Sequence, residues 1–309
     1  MYIKYMPELP EVQTTVNGLM RHMKGRIITD VWTDYFSPFH SGKNNIKNPL
    51  YFKKFQKAVT GGTVIQVERR AKNILIHLNN GYTVLIHMKM TGHLLYGEYS
   101  YDAHKKSWHT QEKGPLQDPF NRFIHFVFTL SNGKQVALSD MRKFAKVTFE
   151  QSSLLAEAPE FKKLGPEPLS PSFSPEVLHA RLLKRPNGKI KTVLMDQHVV
   201  AGIGNIYSDE ILWHSCVHPE KRVRELTSQE VQQMHKATIE ILKRSISLGG
   251  DSMSDYRNIL GEKGGFHPYH SAYRQHGKQC TYRNCSGVIQ RLKIGGRSAH
   301  FCDTHQKMA

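Results

Sequence analysis

The chain has 309 residues, with 43 Lys plus Arg against 26 Asp plus Glu, for a formal charge of +17. That length suits two ordinary domains, and no apolar run approaches the roughly 20 residues of a membrane helix. Four cysteines are too few for a disulfide scaffold of this size, and Met1–Tyr5 lack the apolar core of a secretion signal, so the expectation is a soluble cytoplasmic protein with no membrane partner. The charge favours a polyanionic partner without naming one.

Residues 9–23 read as an amphipathic helix, because Val12, Val16, Leu19, Met20 and Met23 recur at spacings of three and four. From Gly25 to about Phe149 the period becomes two, with candidate strands at 27–34, 63–70, 74–78, 83–87, 123–130, 135–139 and 146–149. Asn79-Asn80-Gly81 and Ser131-Asn132-Gly133 carry the Asn-Gly chemistry of hairpin turns. The long polar stretch Gly97–Asn121 reads as a mobile surface insertion. A Pro-rich passage over 165–175 marks a boundary, and helical patterns follow at 175–184, 190–196, 205–215 and 228–248. The last opens with a capping box, Thr227 to Glu230, and stops at Gly249-Gly250. The expected architecture is α+β: an N-terminal helix with a β-sandwich over 6–150, a linker over 151–174, a helical domain over 175–275 and a tail over 276–309.

The tail carries a ligand pattern. Cys280 and Cys285 are separated by four residues, Cys302 and His305 by two, and sixteen residues lie between the pairs. Two short Cys/His pairs across such a loop have the spacing of a structural zinc site, here with a β-hairpin turning at Gly295-Gly296. A tail this short buries too little to fold alone, so one structural Zn²⁺ is expected to supply its stability.

The run Met6-Pro7-Glu8-Leu9-Pro10-Glu11-Val12 admits two readings. Prolines open helices at their first turn, and carboxylates there face the positive end of the dipole; that reading needs no chemistry. If the working chain starts at Pro7, after loss of Met6, it presents a secondary amine. An α-amino group titrates near pH 8, so a neutral fraction can attack a carbonyl carbon such as a sugar C1′. Glu8 and Glu11 would then lie close enough for proton transfer. With residues joined in front of it, the Pro7 nitrogen is an amide and that chemistry is closed.

These runs together resemble the bacterial formamidopyrimidine-DNA glycosylase family almost end to end. The resemblance rests on MPELPEV (6–12), RRAKNILI (69–76), HMKMTGHL (87–94), SDMRKFAKV (139–147), LGPEPL (164–169), IKTVLMDQHVVAGIGNIYSDEIL (190–212) and the Cys/His tail. Leu9, where endonuclease VIII relatives usually have Gly, favours the formamidopyrimidine branch. The resemblance implies a β-sandwich behind a catalytic helix, a helix–two-turn–helix domain and a zinc finger. It also implies a monomer that excises 8-oxoguanine and formamidopyrimidines from duplex DNA and cuts the strand by β,δ-elimination. Carried over by motif, Pro7 is the Schiff-base nucleophile, Glu8 the proton donor and acceptor, and Lys72 a basic group for lesion processing and phosphate contact. Met90, Arg142 and Phe144 match the residues that fill the hole left by the extruded base. Lys191, Asn205 and Arg297 match phosphate contacts, Asn205 in a Gly-Ile-Gly-Asn turn before a helix. The stretch from about 252 to 273 matches, loosely, a loop that closes over the flipped base.

Three departures stand out. The five residues before Met6 are foreign to the family, which a start at Met6 explains. His305 stands where the family usually has a fourth Cys, and Asp140-Met141-Arg142-Lys143-Phe144-Ala145 departs from the family's DPRRFG-like motif. If Pro7 is not the mature terminus, the alternative is a non-catalytic damaged-DNA-binding protein. A weaker third option is a zinc-tailed nucleic-acid binder with no lesion preference.

Overall fold

The structure, a computed structural model, describes residues 6–253 and 255–308. The chain forms two compact units, the first running to residue 162 and including 248–265, the second holding 163–247 and 266 to the end. Residues 1–5, and with them the stretch before Met6, lie outside the described residues.

In the first unit, helix α1 (Leu9–Met23) is followed by β1 (Ile28–Thr33), α2 (Pro49–Val59), β2 (Val64–Arg70), β3 (Asn73–Leu78), β4 (Tyr82–His87) and β5 (His93–Gly97). A small hairpin, β6 (Tyr99–Asp102) with β7 (Ser107–Thr110), precedes β8 (Ile124–Leu130), β9 (Gln135–Ser139), β10 (Lys146–Gln151) and the single turn α3 (Pro159–Lys162). The strands pair as two antiparallel four-stranded sheets, β1-β8-β9-β5 and β10-β4-β3-β2. One core joins both sheets to α1: Val12, Val16, Leu19 and Met23 pack with Ile74, Ile76, Val84 and Ile86 of one sheet and Phe126, Phe128 and Leu138 of the other. The expected helix and sandwich are present, and both Asn-Gly turns place their glycines at positive φ, Gly81 at 83° and Gly133 at 80°.

Three features differ from the expectation. Helix α2 was not expected, since only Phe55 and Val59 of its residues are buried and three lysines interrupt its apolar pattern. Its start was nonetheless written as Asn48-Pro49, and the Asn48 side chain accepts from the Leu50 N–H. Strand β5 lacks alternation because all five residues are buried. The third is a correction: the 97–121 stretch is no loose insertion. It folds into the β6–β7 hairpin and two 3₁₀ turns, Pro115–Gln117 and Pro119–Arg122. Its Tyr99 and Leu116 form a second small core with Leu95, Ile124, Val127 and Ala137, flanked by Trp32 and Trp108. Counting polar residues hid the few apolar ones that anchor it.

The second unit contains α4 (Pro175–Leu182), α5 (Ile190–Leu194), α6 (Asn205–His214), α7 (Ser228–Ser247) and the hairpin β11 (Gln290–Ile294) with β12 (Arg297–Phe301). The expected capping box is made: Thr227 N–H donates to Glu230 Oε2 at 2.8 Å, and Glu230 N–H to Thr227 Oγ1 at 3.2 Å. Among the described residues no helix is long and apolar enough to cross a membrane.

The folded 97–121 stretch is latched by a buried imidazole. His93 Nε2 lies 2.9 Å from Asn121 Oδ1, while Asn121 Nδ2 donates to the Pro115 carbonyl, so Nε2 carries the proton. Burial pushes His93 down to about 4 from its ordinary 6.5. Between those values the unfolded chain binds a proton that the folded one does not. Stability is therefore full above pH 6.5 and falls as the pH drops toward 4, by up to about 3 kcal/mol from this group. His93→Gln is expected to lessen the loss of Tm between pH 6.5 and 4.5. An acid limb identical to that of the parent chain would contradict this.

Candidate active site and nucleic-acid interface

The first turn of α1 is built around one carboxylate. Glu11 is fully buried; its Oε2 accepts the Glu8 N–H at 2.8 Å and its Oε1 accepts the Asp251 N–H at 2.8 Å. The Tyr256 hydroxyl donates to the Glu11 carbonyl at 3.0 Å, and Thr15 Oγ1 donates to the same oxygen at 2.9 Å. Gly250 has to be glycine here. Its φ is 84°, and a Cβ would lie 3.1 Å from Glu11 Oε1. Pro7 and Glu8 are themselves buried. The residue pair named for amine chemistry is thus held in one geometry at the positive end of a helix.

Lys72, 4% exposed, sits in the tight turn between β2 and β3, where Ala71 takes a φ of 53°. Arg69 ties that turn to α1: its Nε donates to Gln13 Oε1 at 2.9 Å and its Nη1 to the Ala71 carbonyl at 3.0 Å. Nearby, His87 is held down to about 3 by burial and by the positive charges of Lys89, Lys72 and Lys146. Its Nδ1 accepts the Lys89 N–H, so the ring is neutral with Nε2–H as donor. Three ammonium groups around a neutral imidazole donor suit a phosphate. Sequence reasoning missed His87, although it opens the HMKMTGHL run.

Met90, Arg142 and Phe144 come from two different turns and meet. Arg142 Nη1 is 3.4 Å from Met90 Sδ, and its guanidinium lies 4.5 Å from the centre of the Phe144 ring. Arg142 and Phe144 are exposed, Met90 half-buried. Both turns use a lysine in the left-handed region, Lys89 at φ 58° and Lys143 at φ 52°. Asp140, fully buried, fixes one turn to the other. It accepts the Tyr35 hydroxyl at 2.8 Å, the Thr91 hydroxyl at 2.5 Å and the Ala145 N–H at 2.7 Å. Thr91 in turn accepts the Arg142 N–H at 3.1 Å. An apolar wedge with an arginine beside it is a device for occupying an opened base stack.

In the second unit the turn before α6 is shaped by Gln197, whose Oε1 accepts the Gly202 N–H and whose Nε2 donates to the Ile203 carbonyl, at 2.8 and 2.7 Å. Asn205 opens α6, and its Oδ1 is buried without a hydrogen-bond partner. Lys191 is fully buried, and its ammonium donates to the Asn205 carbonyl at 2.8 Å, Ser208 Oγ at 2.7 Å and Asp209 Oδ1 at 2.6 Å. With these three contacts its side chain shapes the Asn205 turn. Arg297 is exposed on the hairpin beside Gly295 and Gly296, at φ 56° and 76°. Asp209 Oδ2 also accepts from His300 N–H and lies 2.9 Å from His300 Nδ1, which fastens this hairpin to α6. Glu210 takes the Ser271, Ala272 and Tyr273 N–H groups at 2.9, 3.0 and 2.7 Å. The signal for both acids was their place in a helix buried from Ile206 to Trp213, where a carboxylate needs partners.

Cys280, Cys285, Cys302 and His305 bring their ligand atoms within 4.8 Å of one another and could hold a metal ion. Cys285 Sγ is 3.7 Å from Cys302 Sγ, and Cys280 Sγ is 3.4 Å from His305 Nδ1. A tetrahedron with metal–sulfur bonds of about 2.3 Å has edges of about 3.8 Å, so the spacing fits. His305 Nε2 lies 3.1 Å from the Trp213 carbonyl, the outer contact that aims Nδ1 inward.

Comparison with known proteins gives the same picture. The formamidopyrimidine-DNA glycosylase N-terminal domain model matches residues 6–147, and the formamidopyrimidine-DNA glycosylase H2TH domain model matches 164–257. The chain belongs to the formamidopyrimidine-DNA glycosylase family. It is 35% identical to the formamidopyrimidine-DNA glycosylase of Desulforamulus reducens, over 98% of this chain and 99% of that one. A structure of MutM in complex with DNA containing carbocyclic 8-oxo-G matches with a TM-score of 0.80 at 29% identity, covering 98% of this chain and 100% of that one. The Lactococcus lactis Fpg bound to abasic-site DNA matches with a TM-score of 0.80 at 28% identity, over 97% and 100% of the two chains.

The Asp140 arrangement makes a quantitative prediction. Asp140→Ala strands two hydroxyls and an N–H in the interior and should cost about 3 kcal/mol in denaturant unfolding. Tyr35→Phe removes one bond, leaves the other two in place and should cost about 1 kcal/mol. Equal losses would contradict the hub.

Proposed function

We propose that this chain is a DNA glycosylase and abasic-site lyase that removes oxidised purines, 8-oxoguanine and formamidopyrimidines, from duplex DNA. The observation that carries the reading is the fixed Pro7–Glu8 head of α1 in the same unit as the preassembled Met90–Arg142–Phe144 wedge. The relatives named above, including those with 8-oxo-G and abasic-site DNA, support it. We place its work in the cytoplasm, as a monomer, on DNA held by its positive charge.

The chemistry follows from the residues. Chain start at Met6, the point where the N-terminal domain match begins, followed by loss of that methionine, frees the Pro7 nitrogen. The neutral amine attacks the sugar C1′, the C1′–N9 bond breaks, and the base leaves with its electron pair and takes a proton. The nitrogen lone pair then opens the sugar ring, the C1′–O4′ bond breaking and O4′ taking a proton, and the resulting iminium makes the C2′ proton acidic. Its removal expels the 3′ phosphate, and loss of the C4′ proton in a second elimination expels the 5′ phosphate. Glu8 is the group placed to move protons at the sugar. Glu11, with both oxygens accepting backbone N–H groups, positions Pro7 and Glu8. Met90, Arg142 and Phe144 fill the vacated stack. Lys72 and His87 in the first unit, and Asn205 and Arg297 in the second, hold phosphates. Cys280, Cys285, Cys302 and His305 would hold one structural Zn²⁺, with all four positions taken by protein and none left for substrate.

Excision assays on an 8-oxoguanine·cytosine duplex test this, using protein beginning at Pro7. Pro7→Gly is expected to keep lesion affinity while slowing excision on the order of 100-fold. Asn205→Ala is expected to weaken duplex binding about tenfold. An unchanged excision rate in the Pro7 variant refutes the nucleophile assignment. Tight lesion binding with no excision by the parent chain would make it a reader of damage.

A further inference from the structure

The segment after α7, residues 248–253 and 255–265, groups with the first unit and runs between α1 and the 97–121 stretch. Its middle is gripped from both sides. On one side Arg257, 2% exposed, donates from Nε to Asp118 Oδ2 at 3.0 Å and from Nη2 to Asp118 Oδ1 at 3.2 Å, while its guanidinium lies 5.1 Å from the centre of the Phe120 ring. A Cβ on Gly261 would lie 2.6 Å from the Pro115 carbonyl oxygen, so backbone meets backbone there. On the other side Ile259 is buried against α1, where a Cβ on Gly18 would approach it to 2.6 Å. The Ile259 carbonyl accepts the Tyr96 N–H of β5 at 2.6 Å.

The two grips are joined by hydrogen bonds through the reaction centre's own support. Arg257 Nη1 donates to the Tyr256 carbonyl at 2.8 Å, the Tyr256 hydroxyl donates to the Glu11 carbonyl at 3.0 Å, and Glu11 holds the Glu8 N–H. Asp251, at the start of the segment, donates its N–H to the same Glu11 carboxylate. We propose that Arg257 is a positioning residue for the Pro7–Glu8 head of α1, and that the 97–121 stretch serves, through Asp118, as the abutment it works against. The proposal rests on the functional reading given above.

A two-point guanidinium–carboxylate pair is directional as well as attractive. Out of water, its attraction does little more than offset the desolvation of both ions, so its main product is a fixed geometry. Removing the carboxylate charge takes away the two-point partner that sets the orientation of the guanidinium. A reoriented guanidinium pulls on the Tyr256 carbonyl and loosens the hydroxyl that holds the first turn of α1. Pro7 attack requires placement to within a fraction of an ångström, so a small displacement there is costly in rate.

Asp118→Asn, which keeps shape and removes charge, and Asp118→Glu, which restores the charge, are compared in the full chain. Two readouts are used. Amide hydrogen exchange in the peptide covering residues 7–16 is expected to quicken in Asp118→Asn and to recover in Asp118→Glu. Single-turnover excision on an 8-oxoguanine·cytosine duplex is expected to slow about tenfold in Asp118→Asn, with recovery in Asp118→Glu. Duplex affinity is expected to stay within about threefold. Unchanged exchange at α1 overturns the coupling whatever the activity. Quickened exchange with an unchanged excision rate overturns the positioning role. Absence of excision by the parent chain overturns the enzymatic reading instead, and the exchange readout still decides the coupling.

Discussion

The first unit depends on where the Glu11 carboxylate points. Its two oxygens accept backbone N–H groups from Glu8 and from Asp251, residues far apart in sequence. A buried carboxylate satisfied by amides costs little when both bonds are made and a great deal when one is lost. The constraint therefore works as an alignment: α1 cannot tilt, nor the 248–265 segment lift, without exposing an uncompensated charge. The amine chemistry proposed for Pro7 inherits its precision from that alignment.

The same device recurs at the other functional places, each time with a buried ionic group behind a more exposed one. Asp140 stands behind the Met90–Arg142–Phe144 wedge. Lys191 and Asp209 stand behind the Asn205 turn and the Arg297 hairpin. In each case the hidden residue gathers turns from separate strands or helices, and the residue facing solvent is held by backbone geometry. That arrangement suits a surface that has to meet a stiff polyanion, because side chains fixed before contact lose less entropy on binding.

Much of this was legible in the sequence, for identifiable reasons. The helix at 9–23, most sandwich strands and the four helices at 175–248 follow from period and caps, and the Cys/His tail from spacing alone. The wedge residues could be named from their motifs, since short runs around turns are specific. Three things resisted. The 97–121 stretch looked loose because its anchors, Tyr99, Leu116 and Asn121, are scattered among polar residues and act through tertiary contacts. The N-terminal run sets Glu11 beside Glu8 for proton transfer, and the family motif gives Lys191 to phosphate. A one-dimensional reading cannot see that each is buried among hydrogen-bond partners of its own. Asp140 and Asp209 escaped notice for the converse reason: an acid inside a motif reads as decoration until its partners appear.

Borohydride trapping on an abasic-site duplex, with the adduct located by peptide mass, tests the central claim most directly. The account predicts a covalent sugar adduct on the Pro7 nitrogen in protein beginning at that residue, and none in protein that keeps residues 1–6. An adduct on a lysine, or equal trapping with and without the preceding residues, would contradict it.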